Sequence, residues 1–208
     1  SGCLVVADAL NCQKETARLA IAGGADYLLS VKDNQPALKC DIEEYVQDTE
    51  LRQAMKTSAT QEQSRDRFEI RTAYITNDIS WLPDAGNWEH ITTLGAIHTQ
   101  FKTADKTTSE WHYYISSRDL TADELLHYAR TEWSVETMHW MLDVHFSEDF
   151  CRVEDKNTQQ NLNIIRKIAL NILKSYKQNT CSKRPVSNIM FDCLLDCQHL
   201  LAVYSSQT

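Results

Sequence analysis

The chain has 208 residues, of which 42% are hydrophobic and 24% charged, and its formal net charge is −8. This length and composition predict one sizeable globular domain or two small ones. No apolar run approaches the roughly 20 residues of a membrane-spanning helix and no charged leader opens the chain, so we expect neither a membrane segment nor a signal peptide. The seven cysteines are scattered and odd in number, which argues against a disulfide framework and favours the cytoplasm.

The opening residues predict a βαβ unit. A continuous apolar run at 3–7 is typical of a strand covered on both faces, and it ends at Asp8. A helix over 12–22 and a second strand over 27–31 should follow, with the two strands parallel. Since parallel strands end at the same edge of a sheet, Asp8 should emerge beside the tetrad Lys32-Asp33-Asn34-Gln35, where open α/β sheets bind ligands. The alternative is that Asp8 starts a turn and the tetrad caps the next helix.

The middle of the chain changes from a helical to a strand pattern. Residues 36–55 predict a helix, and the polar residues 57–66 predict a linker. Apolar and polar residues then alternate over 67–76 and, less regularly, over 89–101 and 110–116. We therefore expect an antiparallel β insertion between the opening unit and the helix that follows.

The stretch Tyr128–Asp149 predicts the later part of one long helix that begins near Ala122. Its apolar residues recur on one face at three- and four-residue steps: Leu126, Ala129, Trp133, Trp140 and Val144. The carboxylate of Glu136 should leave this face between two indoles, where a charge is costly unless it is paired. Glu132, Glu136, His139 and Asp143 also form one row, whose acids repel unless a cation lies among them. The alternative is a buried helix whose acids meet Arg or Lys from elsewhere.

Two further patterns resemble metal ligands more weakly. Glu124/His127 and Glu136/His139 both match the Glu-x-x-His pair of di-iron bundles, but they lie on one helix about 18 Å apart and cannot share a metal. Cys193, Cys197 and His199 are close in sequence but lack the paired spacing of structural zinc sites. We expect these three residues to pack a terminal helix.

A basic segment stands out in a chain whose net charge otherwise argues against nucleic acid. Residues 157–184 carry a charge of +6 and contain no acid, whereas the preceding 156 residues carry −12. A helix over 157–177 should bury Leu162, Ile165, Ile168, Ile172 and Tyr176. The basic residues then form either a phosphate-binding surface or an ordinary solvated face. A last helix is expected over 187–204.

Several motifs in order resemble the H-repeat-associated transposases, a branch of the bacterial insertion-sequence DDE transposases with an RNase H-like core. They cover Val5 to about Leu173. The matching motifs are VVADALNCQKETA around Asp8, GADYLLSVKDNQPAL at 24–38, Arg67-Phe-Glu-Ile-Arg71, Asp78-Ile-Ser-Trp81, the helix from Trp133 through Trp140 to Asp149, and Asn161 to Asn171.

The resemblance implies the catalytic-core portion of a transposase that cleaves DNA and transfers strands during transposition of an insertion sequence. Its fold would be α/β, a partial RNase H-like core with an antiparallel β insertion and C-terminal helices. Asp8 would be the second acid of the catalytic triad and Glu136 the third, both ligands of Mg²⁺ or Mn²⁺. Clustered carboxylates suit this chemistry because two hard cations about 3.5–4 Å apart activate the attacking oxygen and stabilise the leaving oxygen.

The resemblance also implies partners and contact residues. The implied partners are DNA, as transposon ends and target, and a second copy in a homodimer. The resemblance implies no membrane and no small-molecule cofactor. The expected location is a bacterial cytoplasm, at the nucleoid. Residues near the metals or the DNA are Lys32, Asn34, Arg67, Arg71, Arg130, Trp133, His139 and Asp143. Candidates for the DNA backbone are Arg166, Lys167, Lys174, Lys177, Lys183 and Arg184. The expected domains are 1–56 and 119–208, which share the core, and 57–118 with the linker and insertion.

The chain departs from the family pattern at three places. The first acid of the triad is implied on a strand before Val5, so we expect the 208 residues alone not to cleave DNA. Arg65-Asp66 replaces a usual His-Gly. Glu132 stands where a basic residue is usual, and Thr137 where an Asn is usual.

Two other functions are weighed against the transposase core. A decayed, non-catalytic remnant would bind DNA or protein through the basic segment 166–184. A metal-dependent phosphohydrolase is disfavoured, because Leu10 occupies the place of a second acid two residues after Asp8.

Overall fold

The structure, a computed structural model, describes residues 2–64 and 67–206. The chain forms two compact units, unit 1 (residues 1–133) and unit 2 (residues 134–208). Unit 1 contains, in chain order, β1 (Leu4–Ala7), α1 (Lys14–Ala22), β2 (Asp26–Val31), α2 (Pro36–Gln47), α3 (Thr49–Ala54), β3 (Lys56–Ser64), β4 (Arg67–Thr76), β5 (Thr93–Lys102), β6 (Thr107–Ser116) and the first half of α4 (Ala122–Phe146). Unit 2 contains the rest of α4, α5 (Lys156–Asn179), α6 (Val186–Leu195) and α7 (Cys197–Ser205).

One six-stranded sheet, in the order β1-β2-β6-β5-β4-β3, organises unit 1. β1 and β2 are parallel, with Val5 opposite Tyr27, which confirms the predicted βαβ unit. The other pairs are antiparallel, and β6 joins β2 with Ile115 opposite Leu29. The predicted β insertion is thus continuous with the opening unit in a single sheet. The α/β class with C-terminal helices is confirmed.

The polar segment 57–66 is not a linker as far as the structure describes it. Residues 56–64 form β3, an edge strand paired to β4 along its whole length. An edge strand of polar residues lacks the apolar alternation of a half-buried strand, because much of it faces water. Arg65 and Asp66, the departure from the family motif, lie outside the described residues.

Two segments that were each predicted as one helix are broken by an aspartate. The Asp48 carboxylate accepts hydrogen bonds from the backbone N–H groups of Glu50 (2.8 Å) and Leu51 (3.0 Å), so α3 starts anew after α2. The Asp196 carboxylate accepts from Gln198 N (2.8 Å) and starts α7 after α6. An Asp cap satisfies the first free N–H groups of a helix, and this favours a break even where the apolar pattern continues.

The first half of α4 packs on one face of the sheet in unit 1. Leu125, Leu126 and Ala129 are buried there against Leu28 and Ile97. Gly95 of β5 allows this close approach, because a Cβ at this position would lie 2.6 Å from Leu125 Cδ2. The opposite face carries a second apolar core, in which Leu29 and Ile115 pack with α2 residue Ile42.

The apolar stripe predicted along α4 is buried only in its first half. Leu126 and Ala129 are buried, but Trp140 and Val144 are 55% and 54% exposed. In unit 2 the helix instead buries Leu142. Position 142 lies about 160° around the helix from position 126, so one straight stripe cannot contain both. The prediction that Glu136 lies between two core indoles is therefore wrong, and its side chain is exposed.

Helix α5 covers only part of the predicted set of residues, in which Ile172 and Tyr176 pack against the core of unit 2. Ile165 and Ile168 are exposed, whereas Leu170 and Leu173 are buried in the core of unit 2 with Leu142. Both sets recur at helical spacing, so periodicity alone does not decide which face is covered. Within the part of the chain that the structure describes, no helix is long and apolar enough to cross a membrane.

Candidate active site

Asp8 directly follows β1, at the carboxyl end of the strand. Its Oδ1 accepts hydrogen bonds from Asn11 N (3.3 Å) and Asn11 Nδ2 (2.8 Å), which starts the 3₁₀ turn Ala9–Asn11. The side chain is exposed, and among the described residues no hydrogen bond or ion pair reaches Oδ2. Asp8 thus caps a turn, as the alternative interpretation held, and still presents one carboxylate oxygen to solvent.

The tetrad after β2 lies next to the turn that follows Asp8, as the parallel strands predicted. Asn34 Nδ2 donates to Ala9 O and also to Cys12 O at 3.3 Å. Gln35 Nε2 donates to Cys12 O at 2.9 Å. These bonds tie the two strand ends together and fix the backbone on which the Asp8 carboxylate is carried. The Asn34 side chain therefore stabilises the backbone of this turn.

The charged members of the tetrad face solvent. Asp33 pairs with Lys39 Nζ at 2.8 Å, and this hydrogen bond holds the pKa of the Asp33 carboxyl below its usual value. Lys32 is exposed at the same edge. The adjacent residues Lys32 and Asp33 therefore place an exposed ammonium group and an exposed carboxylate at this edge.

Glu136 lies on the exposed side of α4, in unit 2. In the predicted row, Glu136 and His139 are exposed, and Glu132 and Asp143 are half-buried. Asp8 belongs to unit 1 and Glu136 to unit 2. The pairing of these two acids around a metal stays a prediction.

Three of the predicted contact residues form one cluster with two acids in unit 1. Arg71 Nη2 lies 2.5 Å from Glu69 Oε1, and Arg71 Nη1 lies 3.3 Å from Glu62 Oε2. Arg130 of α4 pairs with the same Glu62. The Arg71 guanidinium also lies 5.4 Å from the ring centre of Trp133. We call Glu62, Glu69, Arg71, Arg130 and Trp133 the Arg71 cluster.

Sequence reasoning missed Glu62, because the polar pattern of residues 57–66 predicts a linker. Once β3 and β4 are aligned, Glu62 stands directly opposite Glu69. The signal was the family motif Arg67-Phe-Glu-Ile-Arg71, whose second arginine needs acidic partners when buried. Arg67, the first arginine of the motif, is exposed at the hairpin end, over the ring of Phe101 at 3.8 Å.

The basic residues of unit 2 are mostly free of carboxylates. Of the six candidates for the DNA backbone, Arg184 pairs with Asp192 at 2.5 Å, and among the described residues the other five form no ion pair with a carboxylate. At 100° per residue, Arg166, Lys167, Lys174 and Lys177 fall within an arc of about 100° on α5. This arc also contains the buried Leu170, and the four basic residues are half-buried. Lys174 and Lys177 line an open cleft of about 420 Å³ with Met141 and Val186.

The weaker metal-ligand patterns find no support within residues 2–64 and 67–206. No group of three or more His, Cys, Asp or Glu residues there is arranged to hold a metal ion. Cys193 packs against the core of unit 2, Cys197 is exposed, and His199 makes an edge contact with the Tyr176 ring. Cys193 and His199 thus have the packing role expected for them, whereas the exposed Cys197 does not.

Comparison with known proteins decides the family. The family described as the transposase DDE domain matches residues 1–172. The chain belongs to this family. Its sheet and C-terminal helices accordingly represent the RNase H-like fold of a DDE transposase, and the resemblance found in the motifs is confirmed.

Individual relatives agree with this assignment. The chain is similar to "H repeat-associated putative transposase YhhI" of Escherichia coli K12, with 35% identity over 186 residues that cover 85% of this chain and 48% of the relative. It is also similar to "Putative transposase YncI" of Escherichia coli O157:H7, with 35% identity over 180 residues that cover 84% of this chain and 46% of the relative. The chain thus spans about half the length of these relatives.

Proposed function

We propose that the chain is the C-terminal catalytic-core portion of a DDE transposase, which acts on the DNA of an insertion sequence and its target. The observation that carries the proposal is the placement of Asp8. Within a chain of this family, its exposed carboxylate lies at the end of a parallel strand, at the sheet edge where α/β proteins bind ligands.

The donors at Asp8 and Glu136 suit a hard divalent cation. Both side chains are exposed carboxylates, and oxygen is the ligand atom that Mg²⁺ and Mn²⁺ prefer. When bound, such a metal lowers the pKa of an attacking water and stabilises the leaving oxygen of the phosphodiester. In this proposal Asp8 and Glu136 supply two of the metal ligands.

The neighbouring residues of unit 1 would orient the site. Asn34 and Gln35 hold the turn after Asp8 by donating to Ala9 O and Cys12 O, so the Asp8 backbone is fixed before any ligand arrives. The exposed Lys32 ammonium at the same edge would attract a DNA phosphate.

Metal titration tests the proposal. Mn²⁺ binding, followed by electron paramagnetic resonance of the free ion, should weaken about tenfold or more in Asp8→Asn and in Glu136→Gln, because each loses a charged ligand. Asp33→Asn is the matched control, since Asp33 is an exposed carboxylate at the same edge that already pairs with Lys39. Identical titrations for the wild type and both variants would contradict the proposed metal site.

A non-catalytic DNA-binding module is the second candidate function, and the charge of α5 favours it. The four basic residues Arg166, Lys167, Lys174 and Lys177 share one side of the helix without carboxylate partners among the described residues. Such a surface neutralises DNA phosphates irrespective of sequence. DNA binding that persists without divalent metal and in Glu136→Gln would support this function over the catalytic one.

The basic surface makes its own prediction about salt dependence. The double variant Lys174→Gln/Lys177→Gln should make the negative slope of log K against log salt for duplex DNA less steep by about 2, since each neutralised phosphate contributes about 0.9 to its magnitude. Arg184→Gln is the control, because Arg184 is already paired with Asp192 and should change the slope less. Fluorescence anisotropy of labelled DNA at several salt concentrations measures both. An unchanged slope in the double variant would exclude α5 as the DNA surface.

A further inference from the structure

The Arg71 cluster lies where the first half of α4 crosses the outer strands of the sheet. Glu62 and Glu69 stand directly opposite each other on β3 and β4. Like charges in this position destabilise a sheet. Arg71 relieves the repulsion, because its guanidinium contacts both carboxylates, at 3.3 Å and 2.5 Å. The planar fork of an arginine suits this task, and a lysine ammonium cannot reproduce it.

The ion pairs of Arg71 are shielded from water. Its side chain is 12% exposed, and that of Glu69 is 16% exposed. Charges in such a place interact more strongly than at the surface, and removal of one partner leaves the other uncompensated. The hydrogen bond from Arg130 is the largest cause of a lowered pKa at Glu62, and Arg71 lowers it further, so this carboxylate is ionised at neutral pH.

Helix α4 is held to β3 at two points. Ser58 Oγ donates to Asp123 Oδ1 at 2.6 Å, near the start of the helix, and Arg130 pairs with Glu62 further along. Ser58 and Glu62 are about 13 Å apart along a strand, and Asp123 and Arg130 are about 10.5 Å apart along a helix. Positions 123 and 130 also lie within about 20° of each other around the helix. Two contacts on one line resist rotation of the helix about its axis.

We propose that Arg71 is a positioning residue, which through Glu62 and Arg130 and by its contact with Trp133 fixes the rotation of the first half of α4 on the sheet. Glu136 lies six residues after Arg130 in the same helix. A rotation at Arg130 therefore moves the Glu136 carboxylate around the helix axis. The role of Glu136 rests on the proposed function, whereas the fixation of α4 does not.

Amide hydrogen exchange on the whole chain tests the fixation. In Arg71→Ala we expect exchange of the amides of 123–133 to be about tenfold faster or more, while β1 and β2 exchange at the wild-type rate. Arg67→Ala is the matched control from the same motif, because the Arg67 side chain is 51% exposed and contacts Glu69 only at 3.5 Å. It should leave α4 unchanged.

A second variant keeps the test independent of the folding of Arg71→Ala. Arg130→Ala removes the α4 side chain that pairs with Glu62, and this side chain is half-exposed. The substitution should accelerate amide exchange over the same residues. The proposal is overturned if Arg130→Ala leaves α4 at its wild-type rate. It is also overturned if exchange rises equally in every strand of the sheet, or if Arg67→Ala has the effect of Arg71→Ala.

Mn²⁺ titration of the same variants tests the consequence for Glu136. Affinity should fall about tenfold in Arg71→Ala and Arg130→Ala. The link to Glu136 would be overturned if both cluster variants bind Mn²⁺ with wild-type affinity although their α4 amides exchange faster than in the wild type. If the wild-type chain itself binds no Mn²⁺, the proposed metal site fails, and exchange alone decides whether Arg71 fixes α4.

Discussion

Replacing Leu142 by alanine is expected to lower the free energy of unfolding of unit 2 by about 2–5 kcal/mol. Leu142 is fully buried in a core that it shares with Leu170, Ile189 and Val203. Truncation to alanine loses the transfer free energy of the removed carbons and leaves a cavity, because packed neighbours relax only in part. The effect is large for a unit of this size, since the net stability of a small domain is itself only several kcal/mol.

Val144→Ala is the matched control for Leu142→Ala. It removes apolar carbons from the same helix two residues later, but its side chain is 54% exposed, so we expect a change within about 0.5 kcal/mol. Amide exchange of residues 134–146 of α4 and of α5 under native conditions reports the stability of unit 2, with β5 amides as the reference for unit 1. Equal effects of the two substitutions would show that Leu142 is not a core residue.

Replacing Gly95 by valine is expected to lower the free energy of unfolding of unit 1 by about 1–3 kcal/mol or more. A Cβ at position 95 would lie 2.6 Å from Leu125 Cδ2, and Leu125 of α4 is fully buried against β5. The added methyl groups of valine extend the clash, so the Leu125 rotamer or the helix must move. Urea unfolding followed by circular dichroism measures the loss.

Gly86→Ala serves as the control for Gly95→Val. A Cβ at Gly86 would meet no atom within 4 Å, and the residue is exposed, so its replacement should leave stability unchanged or slightly raised. If Gly95→Val unfolds at the wild-type urea concentration, α4 does not approach β5 as closely as the structure indicates.

Much of the opening unit was predictable because its signals are local. The apolar runs of β1 and β2, with a helix between them, imply a parallel pair, and a parallel pair places the turn after Asp8 beside Asn34. Short polar caps were harder to foresee. Asp48 and Asp196 end the predicted helices early through hydrogen bonds that compete with a continuing apolar pattern.

The candidate site was predictable in part. The motifs identified Asp8, Glu136 and the arginines of Arg67-Phe-Glu-Ile-Arg71, and the family is confirmed. The two arginines look equivalent in the motif, but one is a hairpin-end residue over Phe101 and the other is enclosed by Glu62, Glu69 and Trp133. The distinction depends on β3, which carries Glu62. The polar residues of this edge strand do not alternate with apolar ones, so the sequence does not predict it as a strand.

The amino-acid sequence by itself determined the family, the order of most strands and helices, and the place of Asp8 at a strand end, because periodicity and turn residues act over a few neighbours. Only the tertiary structure decided which face of α4 and α5 is buried, that Glu136 is exposed, and that Arg71 joins β3, β4 and α4. Those outcomes depend on contacts between residues far apart in the chain, such as Glu62 and Arg130. A periodic pattern shows that a face is apolar, but the packing partner decides whether that face is covered.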